Sequence, residues 1–96
     1  MFDFSNRVVL VAGASGNLGQ AIVRAFYAAG AKLALLDRAP DRLPQLFPEL
    51  AGSPNHLLLG YVDAADAESV EGAVQSVLER FGRIDRIGSK NKVIQL

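Results

Sequence analysis

Short runs of consecutive apolar residues alternate along the chain with longer stretches in which apolar residues recur every three or four positions. The runs fall at 8–12, 32–36 and 57–62, and the first of them is rich in β-branched residues. Runs of this kind are typical of strands that are buried on both faces, as in a parallel sheet. We therefore predict three buried strands.

The stretches between these runs have the spacing of amphipathic helices. One helix begins near Leu18 and ends before Gly30, and another begins with the acidic residues of 66–69 and ends before Gly82. Between them lies an apolar stripe that Pro44 interrupts, which predicts a short or broken helix. The resulting order, β-α-β-α-β-α, predicts an α/β fold with a parallel sheet and right-handed crossovers.

The pattern breaks after the last of these helices. A fourth strand is expected there and Ile84 begins it, but 86–92 contains three charged residues where a central strand is apolar. We therefore expect an incomplete fourth strand, which leaves the first strand as an exposed apolar edge. Because unpaired edges associate with other chains, we predict a homo-oligomer formed through this edge, with 93–96 adding a strand to a partner.

Composition narrows the class of protein. The chain has 96 residues, which fit one domain, 1–96. Ten basic and ten acidic residues leave no net charge, so nucleic acid and anionic membranes are not expected as partners. No apolar stretch reaches the ~18 residues of a membrane span and the N-terminus lacks signal-peptide regions, so we expect a cytoplasmic location. With no cysteine and only His56 as histidine, no metal site is predicted, and His56 is expected to face solvent.

The segment 13–19 is rich in glycine and lies between the first strand and the first helix. Such a turn allows backbone N–H groups to approach a phosphate and directs the positive end of a helix at it. Asp37 ends the next strand, about 20 residues further on, where an acid binds ribose hydroxyls in dinucleotide sites. The alternative is a glycine-rich turn without a ligand, followed by an ordinary acid at a strand end.

Four segments, 12–19, 35–38, 61–64 and 81–85, occur in the order and spacing of a known family. On these segments, residues 4–85 resemble the N-terminal, cofactor-binding part of the short-chain dehydrogenases/reductases, and the tail 86–96 does not. The resemblance implies a Rossmann-like, partly doubly wound parallel sheet and an adenine dinucleotide as ligand. The loss of resemblance after Asp85 suggests a frameshifted, truncated or engineered product.

The resemblance also implies which residues bind the cofactor. Ser15 and the backbone of 17–18 would face the ribose and pyrophosphate, Asp37 would bind the adenosine ribose, and Asp63 and Ala64 would border the adenine. The alternative for Asp63 is a helix N-cap. The predicted set is Gly13, Ser15, Gly16, Asn17, Leu18, Gly19, Asp37, Arg38, Asp63 and Ala64.

Two positions depart from the family's Thr-Gly-x-x-x-Gly-x-Gly pattern. Ala12 replaces the threonine, and Asn17 replaces the middle glycine, while Gly16 supplies a glycine one place earlier. Asparagine adopts left-handed conformations more readily than most residues, which favours survival of the turn. Asp37 favours NAD over NADP, because a carboxylate attracts a 2′-hydroxyl and repels a 2′-phosphate. Arg38 leaves NADP as the alternative cofactor, since a guanidinium pairs with phosphate.

The family's chemistry requires a tyrosine and a lysine four residues apart on a later helix, and no such pair is found in these 96 residues. Tyr27 has Lys32 five positions on, and Tyr61 has Ala65 four positions on. Residue type alone gives Ser89 and Asn91 no catalytic role. We therefore predict no catalytic residue.

Three functions remain open from the sequence. The first is a dinucleotide-binding module that has no catalytic activity alone. The second is a folded, self-associating protein of structural role whose nucleotide site is idle. The third is an enzyme that a partner chain completes.

Overall fold

The structure, a computed structural model, describes residues 3–89 and the backbone of 93–95. Its helices and strands follow one another as β1 (Val8–Ala12), α1 (Asn17–Ala28), β2 (Lys32–Leu36), α2 (Arg42–Leu46), β3 (His56–Leu59), α3 (Ala67–Phe81), β4 (Arg86–Gly88) and β5 (Val93–Gln95).

Within this described part of the chain, five strands form one sheet in the order β3-β2-β1-β4-β5. The strands from β1 to β4 are mutually parallel, and β5 runs antiparallel to β4. Because each parallel pairing requires a crossover, the connecting helices cover the sheet, with α1 and α2 on one face and α3 on the other. The predicted α/β, Rossmann-like fold is therefore confirmed.

Successive residues of each strand enter two separate cores, one on each face of the sheet. Val9 and Leu33 pack with α1 and α2, whereas Val8 and Ala34 pack beneath α3. All four side chains are buried. This burial on both faces explains why the strands are continuous apolar runs rather than alternating ones.

The ends of the helices follow from local sequence. Gly30, with φ of 88°, and Gly82, with φ of 77°, adopt the left-handed conformation just beyond α1 and at the C-terminal end of α3. The predicted short helix is α2, which has five residues and contains Pro44. None of the helices in residues 3–89 has the length and apolar composition needed to cross a bilayer.

The fourth strand forms, so the expectation that β1 is an exposed edge is wrong. β4 pairs in parallel with β1, with Ile87 opposite Leu10. The charge of Arg86 is tolerated because its guanidinium lies over the Phe4 ring, 5.0 Å from the centroid, and donates to the Asp85 carbonyl oxygen at 3.0 Å. Ile87 packs against the core beneath α3, and this contact attaches the short strand to the body of the domain.

The last strand is also placed differently from the expectation. β5 pairs with β4 of its own chain, with Ile94 opposite Ile87, rather than with a partner. Residues 90–92 and 96, which the sequence analysis also considered, lie outside the described residues. The outer strands of the described sheet are β3 and β5. Self-association stays a prediction, but β1 is not the edge that would mediate it.

His56 is only partly exposed, whereas the sequence analysis expected it to face solvent. It is half-buried as the first residue of β3, and its Nδ1 accepts a hydrogen bond of 3.1 Å from the Leu33 N–H. Its ring centroid lies 5.7 Å from that of Tyr27. The histidine thus supplies an acceptor where β3 begins.

Candidate functional site

A cavity of about 880 Å³ lies at the carboxyl ends of β1, β2 and β4. The chain leaves β1 toward β2 on one side, and β4 lies on the other side of β1. This reversal of strand order opens a crevice at the carboxyl edge, where open α/β sheets bind ligands. The location of the cavity therefore follows from the topology.

The glycine-rich loop forms one wall of this cavity. Gly13 has φ of 65°, and the Gly16 N–H bonds the Gly13 carbonyl oxygen at 3.1 Å, which closes a tight turn. The Gln20 side-chain amide donates to the Ser15 carbonyl oxygen at 2.8 Å, and the Ala14 N–H bonds Leu36 at 3.2 Å. The loop is thus tied both to α1 and to β2.

Helix α1 begins against this loop with its first amides uncapped by a side chain. Gly16 is the N-cap and, because glycine has no side chain, it leaves the first amides of the helix without a side-chain cap. A Cβ on Gly19 would collide with the Gly13 carbonyl oxygen and lie 2.9 Å from Ala14 Cα, so the helix sits directly on the loop. A Cβ on Gly16 would meet only the Gly13 oxygen, at 3.4 Å. The free helix terminus attracts an anion, and the glycines let it approach.

Asp37 and Arg38 follow β2 at a second wall of the cavity. The Asp37 N–H donates to the Leu59 carbonyl oxygen at 3.1 Å, and its own carbonyl accepts from the Val62 N–H at 3.0 Å. Both backbone groups are therefore used by the neighbouring segment, which holds the residue in place. Its half-buried carboxylate lines the cavity, whereas Arg38 is exposed.

The third wall is the segment between β3 and α3. The Asp63 N–H donates to Ser69 Oγ at 2.9 Å, and Asp63 Oδ1 accepts from the Ala65 N–H at 3.0 Å. The alternative of Asp63 as helix N-cap is wrong, because Asp66 caps α3 and accepts from the Glu68 N–H at 3.2 Å. Asp63 instead closes a turn that holds its carboxylate at the cavity.

The structure brings all the predicted cofactor-binding residues together around this one cavity. They are Gly13, Ser15, Gly16, Asn17, Leu18, Gly19, Asp37, Arg38, Asp63 and Ala64. They come from three separate segments of the sequence, and the fold alone places them side by side. The part that each residue has in binding a ligand stays a prediction.

Sequence reasoning missed the apolar wall of the cavity, which consists of Val62, Val70, Val74 and Ile87. Val70 and Val74 belong to the apolar stripe of α3, which predicted only a core face. The sequence did contain one indication of this wall: Val70 lies in the first turns of α3, and the start of that helix is expected close to the carboxyl edge of the sheet. Ser89 also lines the cavity, just after β4. An apolar slot beside a free helix terminus suits a flat base attached to a phosphate.

Comparison with protein families places this architecture among known proteins. Residues 7–89 match the family model for short chain dehydrogenases. The chain is 40% identical over 86 residues to the dehydrogenase/reductase SDR family protein 7-like of Anopheles gambiae, covering 84% of this chain and 27% of that protein. It is 35% identical to D-threitol dehydrogenase of Mycolicibacterium smegmatis, covering 99% of this chain and 37% of that protein. The chain thus spans roughly a quarter to a third of these relatives.

Solved structures give the same result. A glucose/ribitol dehydrogenase of the short-chain family from Brucella melitensis superposes with a TM-score of 0.82 at 35% identity, over 90% of this chain and 36% of that one. The C-domain of a bacterial malonyl-CoA reductase with NADP gives 0.75 at 31% identity, over 86% and 14%. A 3-ketoacyl-(acyl-carrier-protein) reductase from B. melitensis complexed with NADH gives 0.75 at 25% identity, over 86% and 33%. The chain belongs to the short-chain dehydrogenase/reductase family of oxidoreductases and comprises its nucleotide-binding Rossmann portion.

Proposed function

We propose that this chain binds the adenosine diphosphate part of a nicotinamide dinucleotide. The observation that carries the proposal is the convergence of the ten predicted residues on one cavity, beside a helix whose first amides have no side-chain cap. The residues suit the ligand, since the uncapped helix terminus favours a pyrophosphate and carboxylates accept hydrogen bonds from ribose hydroxyls. The dinucleotide itself supplies hydride chemistry at its nicotinamide ring.

Within this proposal we favour NAD over NADP. Asp37 lines the cavity, and two hydrogen bonds hold its backbone in place, so a 2′-phosphate at this position would meet a carboxylate that repels it. Arg38 lies beside Asp37 and is exposed, which leaves its guanidinium free to approach a phosphate at the rim. The related structures carry NADP in one protein and NADH in another. Titration with NAD and NADP in parallel tests this choice.

We further propose that the 96-residue chain alone does not transfer hydride. Tyr27 and Lys32 line a different cavity, of about 390 Å³, together with His56 at the amino end of the sheet. Tyr61 is 81% exposed. Within residues 3–89, therefore, neither tyrosine is positioned with a lysine at the cavity that takes the dinucleotide. An enzyme completed by another chain would instead show reductase activity only on mixing.

Calorimetric titration with ADP and with NAD tests the proposed binding. Equal affinity for both ligands is expected, because the residues at the cavity address the part that the two ligands share. Absence of binding at millimolar ligand would overturn the proposal.

Substitution at the loop locates the site. Gly16 has φ of −74°, so Gly16→Val adds a side chain between helix and phosphate without straining the backbone. ADP binding should be lost while the melting temperature is kept. Gly72→Val is the matched control, because a side chain at this position on α3 meets open space. Unchanged binding by Gly16→Val would contradict the site.

A second candidate function is self-association, favoured by the outer strand β3. This strand lies at the end of the sheet, and its Leu57, Leu58 and Leu59 are only half-buried. Apolar edge strands pair with other chains, so we propose a homo-oligomer formed through β3. A stable monomer at high micromolar concentration in analytical ultracentrifugation would overturn it. The cytoplasmic location stays a prediction.

A further inference from the structure

The segment that joins β3 to Asp63 contains one residue more than a regular parallel ladder allows. Leu36 is opposite Leu59, and the Asp37 N–H donates to the Leu59 carbonyl oxygen at 3.1 Å. In a regular ladder the Asp37 carbonyl oxygen would then accept from residue 61. It accepts instead from the Val62 N–H at 3.0 Å. Gly60 and Tyr61 together therefore lie opposite Asp37, which is a β-bulge in a parallel pair.

The burial pattern shows the same shift independently. Leu57 and Leu59 pack beneath α3, and strict alternation would place residue 61 beside them. Val62 takes that place instead, and the Tyr61 side chain is 81% exposed. The bulge thus moves every following side chain by one position, so that Asp63 lies where residue 62 would otherwise be.

Both bulge residues have unusual backbone surroundings. Tyr61 has φ of 60°, a left-handed conformation that is unfavourable for a residue with a large side chain. A Cβ on Gly60 would lie 2.7 Å from Pro40 Cα, so the loop that follows Arg38 packs directly on the bulge. The bulge therefore joins the segment that carries Asp37 to the segment that carries Asp63.

We propose that the Gly60–Tyr61 bulge is a positioning device for Asp63, the residue that the family resemblance implies beside the adenine. Its extra residue places the Asp63 carboxylate at the base-binding end of the cavity, where the carboxylate accepts a hydrogen bond from the amino group of adenine. Asp63 Oδ1 is held by the Ala65 N–H at 3.0 Å, which orients the carboxylate toward the cavity that both residues line. This inference rests on the proposed nucleotide binding and adds to it a cause for base selectivity. Backbone strain of this kind persists where the surrounding structure requires it, commonly at binding sites.

The test compares ADP with inosine diphosphate, which has a carbonyl group where adenine has the amino group. The wild-type chain should prefer ADP about tenfold, the factor that one hydrogen bond to a charged acceptor gives. Tyr61→Gly and Tyr61→Asn should keep this preference, because both residues adopt the left-handed conformation readily. Tyr61→Val should lose it, because β-branched residues resist positive φ. Calorimetry measures all four proteins with both ligands.

Gly60→Ala is the second variant and disturbs the same bulge through Pro40; it replaces Tyr61→Val if that protein does not melt cooperatively. It too should lose the preference. A wild-type chain that binds neither ligand overturns the proposed function. Binding of both ligands with equal affinity by the wild-type chain, or an unchanged preference in Tyr61→Val or Gly60→Ala, overturns the positioning role while nucleotide binding stands.

Discussion

At the amino end of the sheet, polar side chains bind backbone groups of the strands, whereas at the carboxyl end they border an open cavity. Asp85 Oδ2 accepts the Val8 N–H at 2.9 Å, and His56 Nδ1 accepts the Leu33 N–H at 3.1 Å, so both side chains anchor strands at the amino end. Asp37 and Asp63 line the cavity at the other end. The difference indicates that the polar side chains at the two ends have different tasks, anchoring strands at one end and facing a ligand at the other, so mutations of these side chains should separate stability from binding.

The largest expected effect is at Gly19, a backbone position where one substitution should change both the stability of the fold and the binding of ADP. Alanine normally stabilises a helix relative to glycine, by about 1 kcal/mol. Here the new Cβ would collide with backbone atoms of Gly13 and Ala14, which cannot turn aside as a side chain can. We expect Gly19→Ala to lower the free energy of unfolding by about 3 kcal/mol and to abolish ADP binding. Urea denaturation and calorimetry measure the two effects.

Gly72→Ala is the control for this substitution, because it lies on α3 with open space around the added atom. Its free energy of unfolding should rise slightly, as helix propensity predicts. If Gly19→Ala is as stable as wild type, then α1 is not seated on the glycine-rich loop.

The second prediction sharpens the comparison at the amino end. The Asp85 side chain is 17% exposed, bonds Arg83 at 2.7 Å and 2.9 Å, and accepts the Val8 N–H where β1 begins. Removing the carboxylate leaves that strand amide without its acceptor. We expect Asp85→Ala to lower the free energy of unfolding by about 2 kcal/mol and to leave ADP affinity unchanged.

The matched control is Asp3→Ala, which also removes a carboxylate that accepts a backbone N–H, here that of Ser5 at 2.9 Å. This bond joins neighbours in the sequence on an exposed surface, so its loss should have a smaller effect than that of Asp85. Weaker ADP binding by Asp85→Ala would show that the two ends are coupled.

The third prediction uses acid to test the same anchor. The hydrogen bonds from Arg83, reinforced by the bond from the Val8 N–H, lower the pKa of Asp85 below its usual value of 3.8, against the opposing effect of burial. The unfolded chain therefore binds this proton more readily, and the stability that Asp85 contributes is present above about pH 4 and is lost as pH falls through the folded-state pKa. We expect the difference in unfolding free energy between wild type and Asp85→Asn to shrink as pH falls from 5 to 2, because only the carboxylate takes up a proton over this range. A constant difference would contradict this.

The same contrast explains how much could be predicted from sequence. β1, β2, the short α2 and the glycine-rich loop follow from local periodicity and local steric rules. Most of the residues around the cavity were instead named through the resemblance to the short-chain dehydrogenases/reductases, and the fold brings them together because strand ends in a parallel sheet meet at one edge. The places where prediction failed depend on distant contacts. β4 forms because Phe4 accommodates Arg86, far away in the sequence.

The prediction of where β3 ends was wrong for a related reason. It was expected to continue through Val62 but stops at Leu59. The extra residue at Tyr61 is visible only through its partner strand and through Pro40. Hydrophobic pattern gives the faces of a strand but not the point at which its register shifts.

The smallest expected effect concerns His56. Burial lowers the pKa of His56 below its usual value of 6.5, and its Nδ1 must be unprotonated to accept the Leu33 N–H. The unfolded chain takes up this proton first, so stability should fall as pH decreases below about 6.5. Lys32 and Glu49 line the same small cavity, with opposite charges.

The test replaces the imidazole with a group that does not titrate in this range. His56→Asn offers an amide oxygen near the position of Nδ1, so it keeps an acceptor for the Leu33 N–H. From pH 7 to pH 5 the wild-type chain should lose unfolding free energy relative to His56→Asn, because only the imidazole takes up a proton more readily in the unfolded chain. ADP affinity should follow the same pH dependence in both proteins, since the ring lies at the opposite end of the sheet from the cavity.

Parallel pH profiles of stability would mean that the imidazole is protonated without loss of the strand contact. A pH-dependent difference in ADP affinity would mean that the first residue of β3 communicates with the bulge at its other end.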